Sequence, residues 1–110
     1  MSTRTASDVH KSRVFFERRE LNLVLSLYGK MVAAGEWRDY AMDALEDRAV
    51  FSIYRRTSEA PLYQIEKRPA LARRQGAFAV LNAAGMILKR GHDLAPVLSF
   101  LEPKRLFAVE

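Results

Sequence analysis

The 110-residue chain has no cysteine, which removes disulfides, thiolate metal sites and cysteine nucleophiles together and agrees with a reducing compartment. Histidine is almost as scarce. His10 and His92 are the only imidazoles, and no HExxH-like spacing adds carboxylates to them, so a zinc site is not expected. Of the five glycines, Gly76, Gly85 and Gly91 form neither a GxGxxG turn nor a P-loop, which leaves a nucleotide phosphate cradle without support. No apolar run approaches the ~18 residues that span a bilayer, and the N-terminus MSTRTASDVHKSR lacks the apolar stretch of a secretory signal. These absences predict a cytoplasmic protein with no metal, no cofactor and no membrane partner.

What is present has globular composition: 49% hydrophobic and 28% charged residues in a length suited to one core. Residues 1–12 are polar and aperiodic, the composition of a disordered tail, and residues 13–110 are expected to form a single domain. From Arg18 to Ala34 the apolar residues Leu21, Val24, Leu25, Leu27, Tyr28, Met31 and Val32 recur at three and four, which predicts a long amphipathic helix closed by Gly35. Val14, Phe15 and Phe16 before it are too few to distinguish a strand from a lead-in.

Beyond Gly35 the period changes to two. Trp37 to Leu45, Arg48 to Arg56 and Leu62 to Arg68 read as an antiparallel meander. A two-residue turn at Glu46-Asp47 would set Asp43 opposite Val50 and Asp39 opposite Tyr54. Tyr40, Met42, Ala44, Ala49, Phe51 and Ile53 then form the core face beneath the helix. The length of the loop 57–61 leaves the register of the third strand open by one residue. Residues 76–90 are rich enough in alanine for a helix, but their two short apolar runs around Asn82-Ala83-Ala84-Gly85 favour a hairpin turning there. Asp93 is expected to cap a second helix from Leu94 to about Leu101, and a last strand is expected from Arg105 to Val109. The fold class is α+β: a mostly antiparallel sheet of five to seven strands with one long amphipathic helix and one short C-terminal helix.

Four segments, RRELNLVLSLYGKMVAAGEWRDYA (18–41), DRAVFSIYRR (47–56), LARRQGAF (71–78) and ILKRGHDL (87–94), together resemble the alphaproteobacterial domain-of-unknown-function family 2794 over about residues 14–101. The resemblance implies a small bacterial cytoplasmic protein and brings no activity, cofactor or catalytic residue.

Charge is distributed unevenly. Residues 36–47 are acidic, whereas residues 48–75 hold seven Lys and Arg against Glu59 and Glu66, a net +5 equal to that of the whole chain. A basic surface of this kind favours an anionic partner. On the expected register, Trp37, Arg48, Tyr54 and Arg56 share the face opposite the helix, with Arg55 beside them and Arg73 and Arg74 in the next connection. Rings between guanidinium groups suit RNA or single-stranded DNA, whose bases stack and whose linkages are charged. Asp39 and Asp43 on that face oppose phosphate. Lys89, Arg90 and His92, just before the second helix, form a weaker candidate anion site in which Asp93 competes for the helix amides. His92-Asp93 is the one pair suited to proton transfer, and adjacent residues seldom face each other, so no catalytic constellation is assigned.

The sequence thus predicts a small non-catalytic cytoplasmic binding or regulatory protein engaging an anionic partner, RNA or single-stranded DNA before acidic protein. The alternative is a protein-interaction module, homodimeric through its apolar C-terminal strand.

Overall fold

A computed structural model describes residues 13–56 and 60–103. In chain order they form α1 (Arg18–Ala33), β1 (Asp39–Ala44), β2 (Ala49–Tyr54), β3 (Tyr63–Lys67), a 3-10 turn (Pro69–Leu71), β4 (Phe78–Asn82), β5 (Ile87–Gly91) and α2 (Leu94–Ser99). The five strands lie side by side in sequence order, every pair antiparallel. The expected tail 1–12 and the expected strand 105–109 fall outside the described residues.

Each end of α1 has a chemical cause. At its start the Glu17 N–H donates to Glu20 Oε1 at 2.7 Å, satisfying an amide the helix leaves open. At its end Gly35 takes φ +80°, so its N–H reaches Val32 O at 2.9 Å while the Glu36 N–H reaches Met31 O at 2.9 Å. This is a Schellman closure, and it consumes the last carbonyls. The lead-in before α1 is extended and tied to the sheet by Val14 N–H donating to Leu45 O at 2.8 Å.

The first hairpin has the register its two-residue turn dictates: Asp39 faces Tyr54, Asp43 faces Val50, and Leu45 N–H donates to Arg48 O. The third strand settles with Phe51 opposite Ile65, and Ile65 opposite Val80. In the last hairpin Asn82 Oδ1 accepts from the Ala84 and Met86 amides at 3.0 and 2.9 Å, and Gly85 takes φ +86°. Gly85 thus supplies the positive φ the turn needs, whereas Asn82 contributes through its side chain rather than through a left-handed backbone.

Phe51, Ile53, Ile65, Phe78 and Val80 form one face of the sheet, and Val24, Leu27 and Met31 of α1 and Leu94, Val97 and Leu98 of α2 close over it. The opposite face carries the row Val50, Glu66, Ala79, Arg90 across four strands. Four expectations need correction. Tyr40 and Met42 are on the side of the sheet that α1 covers but lie at its edge, where they stay 39% and 46% exposed instead of joining the core. Asp93 occupies the N-cap position of α2 with extended backbone but makes no side-chain cap bond, and α2 ends at Ser99 rather than near Leu101. Trp37 does not lie on the face opposite α1. The chain enters the sheet only at Asp39, so strand alternation does not reach Trp37, which is 4% exposed within the core cluster.

Candidate anion-binding surface

The basic residues singled out in the sequence divide between two ends of the sheet. Arg48 and Arg56 flank β2 and are eight residue steps apart, about 26 Å at ~3.3 Å per step of extended chain.

At the first end, Arg48 precedes β2 and Arg68 follows β3, and the pairing of Ala49 with Lys67 sets them side by side. Between them lies Glu66, whose side chain is only 9% exposed. Arg68 Nε donates to Glu66 Oε1 at 3.0 Å, Arg48 Nε lies 3.4 Å from Oε2, and Arg90 Nη2 approaches Oε1 at 3.8 Å. Asp47 bridges the outer two, 3.0 Å from Arg48 Nη1 and 2.9 Å from Arg68 Nη1. Desolvation pushes the Asp47 carboxyl up, but the Arg48 charge and the hydrogen bond from Arg68 outweigh it and hold its pKa below the ordinary carboxylate value. Desolvation likewise lowers Arg68, and its bonds and charge contacts with Glu66 and then Asp47 more than offset this, raising it. Arg48 is therefore an internal ion-pair partner. Two carboxylates take up most of the charge of three guanidinium groups.

Lys89, Arg90 and His92 do not converge. Strand alternation sends neighbours Lys89 and Arg90 to opposite faces; Arg90 turns to Glu66 and donates to Gly76 O at 3.0 Å, and His92 Nδ1 lies 3.0 Å from Ala72 O. These contacts hold the connection 72–76 against the end of β5. Arg73 and Arg74 are exposed on that connection, on the same side of the molecule as the Glu66 cluster rather than near Arg56.

At the other end, the stretch after α1 runs beside the end of β2, with Arg38 N–H donating to Tyr54 O at 2.8 Å. This apposition opens a cleft of about 420 Å³ lined by Val32, Gly35, Glu36, Trp37, Arg38, Arg55 and Arg56. Arg38, Arg55, Arg56 and Glu36 are the charged residues among its described lining, and Arg55 Nη2 lies 3.4 Å from Glu36 Oε1 in an open pair in which both side chains are more than half exposed. Trp37 supplies the cleft with a floor but not a stacking platform, because its ring is buried 6.2 Å from Tyr28 and 6.5 Å from Tyr63. Tyr54 is half-buried opposite Asp39. Arg38 was missed in the sequence because placing Trp37 on the outer face assigns its neighbour to the core; its only sequence signal is its position just after the helix stop at Gly35.

Among the described residues no group of three or more His, Asp or Glu is placed to hold a metal ion. Nor is any described helix long and apolar enough to cross a membrane. The chain belongs to the family described as "Protein of unknown function (DUF2794)", whose model matches residues 14–98. No curated protein and no solved structure matches it.

Proposed function

We propose that this DUF2794 member is a small non-catalytic cytoplasmic binding protein that grips single-stranded RNA or DNA by its phosphates at the Arg38, Arg55 and Arg56 cleft. The observation that carries the reading is the charge of that cleft: three arginines and one glutamate around a concave surface. Guanidinium groups match phosphate oxygens bidentately and remain charged at every relevant pH. The buried Trp37 removes the base-stacking platform, so recognition is led by the backbone and has little sequence preference.

Three phosphate contacts on a single strand give a log–log salt slope of about −2. Retardation of a labelled oligothymidylate and of an RNA of equal length, titrated from low to moderate salt, measures it. The expected result is a complex on both strands with that slope, lost in the Arg38→Glu, Arg55→Glu double variant. Absence of any complex at low salt ends the reading, and a complex unaffected by the double variant moves the site elsewhere. Capture from native cytoplasm with and without nuclease separates nucleic acid from an acidic protein partner.

The second reading, a protein-interaction module, has its own support in the exposed apolar residues beside β1. Its homodimeric form through residues 105–109 concerns positions outside the described residues.

A further inference from the structure

The edge strand β1 has the sequence DYAMDA, yet residues 40–43 are all exposed. Tyr40 is 39% and Met42 46% exposed, and Phe15, in the lead-in beside them, is 58% exposed. Tyr40 is nevertheless fixed, stacked on Phe51 at 4.8 Å and edge-on to Tyr28 at 4.9 Å. Next to this surface an apolar groove of about 240 Å³ runs between Phe15, Leu21, Met42 and Ala44, and Asp43 is the one charged residue lining it. Side chains at 40, 42 and 44 therefore present a preformed apolar strip on one face of the edge.

The backbone of the same strand offers hydrogen bonds. Leu45 N–H donates to Arg48 O, and the alternation of an antiparallel ladder then turns Asp43 and Ala41 toward β2 and the N–H and C=O groups of Tyr40, Met42 and Ala44 outward. Both ends of this outward row are already occupied. Asp39 Oδ1 accepts the Tyr40 N–H at 2.8 Å, and Arg13 Nη1 donates to Ala44 O at 2.6 Å. The Met42 groups lie in the open middle, a length suited to a short, specific strand rather than to indefinite edge pairing.

Charge selects the occupant. Asp39 and Asp43 lie on the other face of β1, and the Asp43 carboxylate has no ion pair among the described residues. A second copy paired antiparallel about Met42 would place four carboxylates on one face, which opposes self-association. We propose that the outer edge of β1 is a docking site for an extended segment of a partner protein that alternates apolar residues, directed at Tyr40, Met42 and the groove, with Lys or Arg, directed at Asp39 and Asp43. The segment adds as a sixth strand next to β1.

The probe is a fluorescein-labelled peptide of three Lys-Val repeats, with three Glu-Val repeats as its counterpart, titrated into the full chain and followed by anisotropy and backbone amide shifts. The expected result is binding of the lysine peptide at micromolar to millimolar concentration, with shifts centred on Met42 and none confined to the Arg38 and Arg55 cleft. Asp43→Lys weakens that binding by about tenfold or more and reverses the preference toward the glutamate peptide. Met42→Pro removes an outward N–H together with the Met42 side chain and takes no hydrogen bond from the β1–β2 ladder, so the ladder persists and binding is lost. No binding of the lysine peptide at millimolar concentration, equal binding of the two peptides, or full binding to Asp43→Lys overturns the proposal.

Discussion

Arg68 Nε donates to Glu66 Oε1 at 3.0 Å on the face of the sheet opposite the one that the two described helices cover. Glu66 and Ser52 are the polar residues buried among those described, and Glu66 is the only one that bears charge. Glu66 holds Arg48 and Arg90 as well, so among the described residues its removal leaves Arg48 and Arg68 with Asp47 alone and Arg90 with no carboxylate, beside the buried Val50 and Ala79. Breaking a buried pair costs about 3–5 kcal/mol. Because Arg48 and Arg68 are one-third exposed, water recovers part of this, and Glu66→Ala should cost roughly 3 kcal/mol. Urea denaturation measures it, and a loss below about 1 kcal/mol would show that the cluster is solvated rather than structural.

Asp47 adds a pH dependence of known sign. Its folded pKa is lowered by Arg48 and Arg68 against desolvation, so its contribution is complete above the unfolded carboxylate value of about 3.9 and is lost as pH falls through the lower folded value. Asp47→Asn should therefore be less stable than the wild type at pH 7, and the two should converge in acid below about pH 3. Thermal unfolding of both proteins across that range checks it. A constant difference down to acid would place the effect of the substitution outside the ion pairs.

Two glycines with left-handed backbone should respond very differently to alanine. Gly85 has φ +86° with open space around its Cα, so Gly85→Ala meets only backbone strain, about 1–2 kcal/mol. Gly76 has φ +106°, and a Cβ there would run into the Gly91 carbonyl and approach His92 N at 2.7 Å. Strain and backbone displacement together should cost more than about 3 kcal/mol. Since Arg90 and His92 anchor the same connection, the Gly76→Ala amide spectrum should change at residues 72–76 and 90–92. Equal melting temperatures for the two variants would contradict this packing.

How far each feature could be read from the sequence follows from how locally it is fixed. The β1–β2 register is legible because Glu46-Asp47 leaves one geometry for a two-residue connection. The hairpin at β4–β5 is legible because Asn82 and Gly85 supply its turn. Glu66 was not identifiable as the centre of an arginine cluster, since that depends on the register of β3, which the loop after Arg56 does not determine. Trp37 and Arg38 exchange roles for a related reason. The Schellman turn at Gly35 sends Trp37 under the helix before the strand begins, and period-two alternation extended backward past Asp39 assigns both residues to the wrong environment. The candidate cleft is thus a product of how the helix ends.

The separation of the two basic ends permits a test in which structure and binding respond to different substitutions. Arg56 lines the cleft and Arg74 lies on the connection at the far end; both are exposed, so Arg56→Glu and Arg74→Glu should each change stability by about 1 kcal/mol or less. Phe51→Ala should do the reverse. Phe51 is fully buried and stacks on Tyr40, and its loss should cost roughly 3–5 kcal/mol of the 5–15 kcal/mol a small domain possesses. On oligonucleotide binding, Arg56→Glu should weaken the complex and flatten its salt slope, whereas Arg74→Glu should leave the slope near its original value. If Arg74→Glu abolishes binding and Arg56→Glu does not, the phosphates lie at the connection after β3 and the cleft is not the site. If neither matters while both proteins stay folded, the positive charge of this chain serves solubility and its partner is not a polyanion.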